Sequence, residues 1–178
     1  TPTIGKTLFE LRNWRVHHPL HEKREVVKGV NLHVRRGEIV GIAGLMGAGR
    51  TELAMSVFGR SWGTRISGTA LMDGQPVDLS TVRKAVDHGI AYVTEDRKSL
   101  GLVLNESIAT NTSLVNLAGV SSRGVIHEGR EFAVASDFKT KLATRCTGVQ
   151  QLVVNLSGGN QQKVVLAKWL FANPTLLM

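Results

Sequence analysis

GEIVGIAGLMGAGRTELAMSVF, Gly37 to Phe58, is the stretch whose reading decides the fold. Glu38-Ile39-Val40-Gly41-Ile42-Ala43 is a short apolar run with β-branched residues and predicts a buried strand. Gly44-Leu45-Met46-Gly47-Ala48-Gly49 is too glycine-rich for strand or helix. Arg50 to Phe58 predicts a helix with Leu53, Val57 and Phe58 on one face. Strand, glycine loop and helix N-terminus in that order make a phosphate cradle. The glycines let backbone N–H groups turn toward an anion, and the helix dipole adds positive potential there. The pattern G-x-x-x-x-G-K-[ST] fits Gly44 to Thr51 except at Arg50, which stands in the lysine's place. The bland alternative is a tight strand–helix turn that holds no ligand.

Composition bounds what surrounds this stretch. A chain of 178 residues, 42% hydrophobic, can bury one core of ordinary size. No apolar run approaches the roughly 20 residues of a membrane helix, and the opening residues do not read as a secretory leader. The single Cys146 excludes an internal disulfide and fits a reducing compartment. The net charge of +8 invites a nucleic acid, membrane or anion reading. The basic residues are scattered, however, among only five Phe, three Trp and one Tyr. A solvated surface is the better reading, with no nucleic acid partner.

Before the glycine loop, Thr1 to Gly5 read as a frayed terminus and Leu8 to Val16 as an edge strand. His17-His18-Pro19-Leu20-His21 is a proline-broken loop. Its three histidines lack the cysteine or carboxylate framework of a metal site. Val26 to Val34 predicts a second strand. Beyond the loop's helix, Gly59 to Gly68 reads as a loop, and Thr69 to Val77 as strand, Asp73-Gly74 turn and strand. Ser80 is placed to cap a helix reaching about His88 and closed by Gly89. Ile90 to Val93 is a further buried strand. Residues 100–150 predict helices at Asn105 to Ile108 and Glu131 to Leu142, joined by a Gly/Ser loop with no obvious strand. Ser157 is a natural N-cap for a helix running to about Ala172, stopped by Asn173-Pro174. Thr175 to Met178 opens an apolar strand with no turn after it, so the chain is expected to be a fragment cut inside a domain.

Leu156-Ser157-Gly158-Gly159-Asn160-Gln161-Gln162-Lys163 resembles the LSGGQ signature of ATP-binding cassette (ABC) proteins, in its LSGGNQQK form. That form is typical of the ATPase subunits of bacterial monosaccharide importers of the ribose, xylose, galactose and arabinose type. Gly44 to Leu53 and Thr94 to Val103 (TEDRKSLGLV) resemble the second of the two tandem cassettes in those subunits. The resemblance covers essentially the whole chain. It implies an α/β P-loop NTPase core of ABC type, with an antiparallel β edge subdomain and an inserted helical subdomain. The divisions it implies are a nucleotide-binding core at 1–99, a helical subdomain at 100–155, and the signature helix with the start of the next strand at 156–178. The chain would then stop before the acidic pair that completes catalysis.

What the resemblance implies about sites follows motif by motif. ATP with Mg²⁺ would be held by Gly44, Leu45, Met46, Gly47, Ala48, Gly49, Arg50, Thr51 and Glu52. Thr51 and the glutamine-loop residue Glu95 would face the metal through ATP. Leu156, Ser157, Gly158, Gly159, Asn160 and Gln161 would serve as the signature. An adenine-stacking group falls near His17 or His18, and Trp14 is a candidate by chemistry beside its plainer role in a packed strand. The departures weaken the local site. Arg50 offers a planar fork where a compact ammonium is usual, Glu52 repels a nucleotide, and Glu95 cannot donate a hydrogen bond. The fragment alone is expected to be inactive. The implied partners are a preceding nucleotide-binding domain in the same polypeptide, sugar permease subunits and, indirectly, a periplasmic sugar-binding protein. The implied place is peripheral, at the cytoplasmic face of the inner membrane. A soluble ABC ATPase of the translation or DNA-repair kind, and more distantly a phosphate-loop kinase, are the alternatives.

Overall fold

The computed structural model describes residues 3–178. Described residues up to Ile90, with Met178, make one compact unit, and Ala91–Leu177 make a second. The expectation of a frayed start falls partly on Thr1 and Pro2, which lie outside the described residues. Gly5 is not frayed, because its N–H donates to the Arg36 carbonyl at 2.9 Å.

The first unit is built on a four-stranded antiparallel sheet in the order β2-β1-β3-β4. Its strands are β1 (Thr7–His17), β2 (Glu25–Arg35), β3 (Thr64–Met72) and β4 (Gln75–Pro76). β1 is therefore an interior strand of the sheet, not the edge strand expected at Leu8 to Val16. Its inward residues are Phe9 and Leu11, then Trp14 and Val16, so the two-residue alternation slips by one. A bulge takes up the extra residue. Asn13 is left-handed at φ 49° and its N–H donates to Asn31 Oδ1 at 2.9 Å. Gly68 of β3 makes room for it, since a Cβ there would lie 2.6 Å from the Asn13 carbonyl oxygen. β3 begins inside the expected loop, at Thr64.

α1 (Arg50–Val57) buries Leu53 and Val57, with Phe58 beside them. A buried polar contact fixes it, for Trp14 Nε1 donates to Ser56 Oγ at 3.0 Å, and Ser56 Oγ donates to the Leu53 carbonyl at 2.7 Å. Trp14, only 3% exposed, is thus committed to the core and not offered to a ligand. Further on, α2 (Val82–Asp87) is capped by Thr81, whose side chain accepts from the Lys84 N–H, rather than by Ser80. Ser80 Oγ instead accepts from Lys84 Nζ.

The expected strand at Glu38–Ala43 does not form. Ile39 is 96% exposed, and no ladder partner for residues 38–44 occurs among the described residues. The chain leaves β2 through a turn in which Glu38 accepts from the Arg35 backbone N–H at 2.8 Å and from its guanidinium at 2.9 Å. The Arg35 guanidinium, helped by that N–H, pushes the Glu38 carboxyl down to about 2. Apolar side chains favour a strand only where another strand offers N–H and C=O groups to pair with.

In the second unit, β5 (Ile90–Ala91), which ends at its first residue, pairs with β8 (Leu176–Leu177). Between them run α3 (Ile108–Ser113), a small hairpin of β6 (Ser121–Ser122) and β7 (Val125–Ile126), α4 (Glu128–Lys141) and α5 (Gly158–Phe171). The hairpin is a strand pair where a plain loop was expected; Arg123 and Gly124, both at positive φ, make its turn. The first expected helix begins only at Ile108, because Ser107 caps it by accepting from the Thr110 N–H at 3.0 Å. Ala109, Ala135 and Val149 pack together with Phe132. Buried Asn111 holds the turn before α3, accepting from the Val103 N–H at 2.8 Å and donating to the carbonyls of Val103 and Ser107.

Ser56→Ala should destabilise the fold by about 1–3 kcal/mol, because it strands a buried indole N–H. A urea midpoint unchanged by the substitution would contradict the account of α1.

Candidate functional site

The glycine loop, Gly44 to Gly49, leads directly into α1. Gly47 and Gly49 take φ 77° and 84°, a region that favours glycine, and a Cβ at Gly47 would meet nothing within 4 Å. The Ala48 N–H donates to the Leu45 carbonyl at 3.0 Å and the Leu53 N–H to the Gly49 carbonyl at 2.8 Å. Leu45 and Met46 stand out at 85% and 98% exposure. Arg50 does not project from the loop. Its stem folds back over Gly44, with Cδ 3.6 Å from where a Gly44 Cβ would sit, and an Nη reaches the Leu45 carbonyl at 3.5 Å. Thr51 is half-buried and Glu52 lies in the first turn of α1. The structure therefore brings Gly44 through Glu52 together at one helix N-terminus.

The histidine loop turns on its own backbone. His18 Nδ1 accepts from the N–H groups of Leu20 and His21 at 3.1 and 3.2 Å, and its ring stands edge-on to Trp62 at 5.6 Å between centroids. His17 Nδ1 is buried with no hydrogen-bond partner. Among the described residues no group of three metal-ligating side chains lies together.

The second unit carries the signature residues at the start of α5. Ser157 occupies the N-cap position but makes no capping bond; its Oγ accepts from Asn160 Nδ2 at 2.9 Å. Asn160 Oδ1 accepts from the Arg145 N–H at 3.0 Å, and Lys163 Nζ donates to the Ala143 carbonyl at 2.7 Å. These bonds pin the first turn of α5 to the loop after α4. Gly159 is exposed, and a Cβ on it would meet nothing within 4 Å. Leu156 and Gln161 point inward. Gln161, 5% exposed, accepts from Arg97 Nε at 3.0 Å and donates to the Val153 carbonyl at 3.1 Å. Glu95 is exposed and precedes a π-helical turn at Arg97–Gly101, which Asp96 caps by accepting from the Ser99 N–H.

Sequence reasoning missed Arg97 and Lys168. Lys168, buried, donates from Nζ to the Gly101 carbonyl and lies 5.3 Å from the Trp169 ring centroid. Burial holds its pKa below the ordinary 10.5. The spacing of Gly158, Gln161, Val165 and Lys168 on one face of α5 was a usable signal. Their partner segment, more than sixty residues away, had none.

The fold now has a class. It is that of ATP-binding cassettes: a dimeric cassette solved in a post-hydrolysis state with ADP and Pi superposes with a TM-score of 0.77 at 22% identity, over 96% of this chain and 72% of that one. A second cassette, in its ADP conformation, gives 0.73 at 16%, over 96% and 67%. The chain belongs to the ABC transporter family, whose profile matches residues 27–178. It is 53% identical to the L-arabinose transport ATP-binding protein AraG of Geobacillus stearothermophilus, over its whole length and 35% of that protein. It is 42% identical to the xylose import ATP-binding protein XylG of Thermoanaerobacter pseudethanolicus, over 99% of the chain and 35% of the relative. The chain thus spans about a third of the length of these relatives. No helix among the described residues is long and apolar enough to cross a membrane.

Lys168 sets a pH dependence. A depressed folded-state pKa means that the unfolded chain binds more protons on the alkaline side, so stability rises with pH there. Measured by urea unfolding, the wild type should gain on Lys168→Met as pH climbs toward 10.5; a gap that stays constant would contradict the buried charge.

Proposed function

We propose that this chain is an ATP-binding domain of a monosaccharide ABC importer, and that its main catalytic duty lies in its signature helix rather than in its own phosphate loop. One observation carries the reading: the contrast between two glycine-flanked helix N-termini. The start of α5 is open at Gly159, where a Cβ would meet nothing within 4 Å, and Ser157 Oγ is held by Asn160 instead of capping the first turn, while the Arg97 guanidinium lies beside Gly158. The start of α1 carries Glu52 and a guanidinium folded onto its own loop. The relatives named for L-arabinose and xylose supply the substrate class.

In this reading the residues divide the work. Magnesium-ATP supplies the γ-phosphoryl group to be transferred. Cassettes of this type act as head-to-tail pairs, and the opposite cassette is the nucleotide-binding domain preceding this one in the same polypeptide. Ser157 and the N–H groups of Gly158 and Gly159 donate to the γ-phosphate oxygens of ATP held by that partner, where charge develops in transfer. Gly44 to Gly49 are the residues that would hold a phosphate, with left-handed glycines at Gly47 and Gly49 and open space beside Gly47. Arg50 supplies charge without the compact reach of lysine, and Glu52 opposes it. Thr51 and Glu95 are the groups that would face Mg²⁺. The domain binds sugar permease subunits at the cytoplasmic face of the inner membrane and serves a periplasmic sugar-binding protein through them. Alone, this stretch of chain binds nucleotide weakly and does not turn it over.

Gly159 gives the clean test, because a side chain there has open space in this fold. In the full-length protein with its permease in vesicles, Gly159→Asp should lower ATP hydrolysis about a hundredfold, or about 2.7 kcal/mol of barrier, and Arg50→Ala under about tenfold. Equal losses would refute the division of labour. Calorimetry offers a second check: Arg50→Lys with Glu52→Thr should tighten magnesium-ATP binding to this domain by about tenfold, or about 1.4 kcal/mol. Weaker binding by the double variant would reverse the argument.

A further inference from the structure

Four residues along one face of α5 meet the segment from Thr94 to Gly101. The Arg97 guanidinium lies over Gly158, where a Cβ would come 2.9 Å from its Nη. One turn on, Gln161 Oε1 accepts from Arg97 Nε at 3.0 Å. Next comes Val165, whose Cγ2 lies 3.1 Å from the place of a Cβ on Gly101. Last, Lys168 Nζ donates to the Gly101 carbonyl. Two polar fastenings and two close packings thus follow one another at helical spacing.

We propose that Arg97 is a positioning residue, fastening the Glu95-bearing turn to the signature helix through its bond to Gln161, so that the two respond to nucleotide as one body. The response to nucleotide rests on the function proposed above; the fastening does not. The chemistry of each partner suits the task. Arginine presents Nε–H at a fixed angle to the rest of its planar fork, so it can bond Gln161 while its far end covers Gly158. Lysine has a point charge and no such edge. Gln161 can hold the guanidinium only because its amide is itself oriented by the Val153 carbonyl, at 3.1 Å from Nε2. Gly158 has a role here besides any ligand, since a side chain would push the guanidinium away. Glu95 sits two residues before Arg97, and the Arg97 N–H donates to the Glu95 carbonyl at 3.1 Å, so displacement of one moves the other.

Hydrogen exchange read by mass spectrometry on the full-length protein tests the fastening first without nucleotide. Arg97→Ala and Gln161→Ala should each speed exchange in peptides covering residues 94–101 by about fivefold, the equivalent of about 1 kcal/mol for one hydrogen bond. The double variant should be no faster than either single one. Arg97→Met, which keeps the stem without the donor, should match Arg97→Ala, and Arg97→Lys should not restore protection. Unchanged exchange, or single effects that add in the double variant, would overturn the proposal. With magnesium and a non-hydrolysable ATP analogue, peptides 94–101 and 157–165 should gain protection together in the wild type, and only the latter in Arg97→Ala. Arg97→Ala should also lower kcat for ATP several-fold with KM within about twofold. Joint protection that persists in Arg97→Ala would overturn the coupling. A wild type that ignores the analogue while showing the nucleotide-free differences would overturn the functional reading and uphold the fastening.

Discussion

The second unit depends on one buried amide. Gln161 has its oxygen taken by the Arg97 guanidinium and its nitrogen by the Val153 carbonyl, and it is almost wholly removed from water. A side-chain amide in that setting is costly unless both ends are satisfied. Once they are, three remote segments are held in one geometry: the π-helical turn at Arg97–Gly101, the turn ending at Asn155, and the signature helix α5. Apolar packing alone would allow α5 to slide or rotate against its neighbours. A directional polar contact does not. Lys168 repeats the device two turns along, where its Nζ finds the Gly101 carbonyl under the cover of the helix.

The first unit solves a similar problem with Trp14 and Ser56. β1 is central in its sheet and must present Phe9, Leu11, Trp14 and Val16 to one side across a slipped alternation. The bulge at Asn13 and the missing side chain of Gly68 accommodate the slip. The indole then contributes both area and a single hydrogen bond to α1. That bond ties α1, and with it the glycine loop, to a rigid sheet. A glycine-rich loop needs such support because its backbone has little packing of its own.

The two helix N-termini show how chemically similar beginnings diverge. Both are flanked by glycine and both have orphan N–H groups in the first turn. At α1 the neighbouring side chains are Glu52, in the first turn, and Arg50, whose stem lies over Gly44. At α5, Leu156 and Gln161 point inward, Asn160 holds Ser157 aside, and the neighbouring charge is the Arg97 guanidinium beside Gly158. The charges beside the two N-termini therefore differ although the backbone devices are alike.

Local elements and family membership were legible in the chain before any folding was considered. Glycine spacing marked the loop, helical periodicity marked α1, α4 and α5, Asp73-Gly74 marked a hairpin, and LSGGNQQK marked the signature. The loop, helices and hairpin are legible because they rest on contacts between residues a few positions apart, and the signature because its residues resemble those of a known family. What depends on distant partners emerged only in the folded molecule. There Leu8–Val16 became a central strand, and Ile39, Val40 and Ile42 stayed outside any ladder. The core role of Trp14, one of its two readings, was settled by Ser56, and Gln161 of the signature lies in the interior. Strand propensity says nothing about which strand will supply the opposing N–H groups. A glutamine next to a glycine pair carries no mark of an arginine sixty-four residues earlier in the chain.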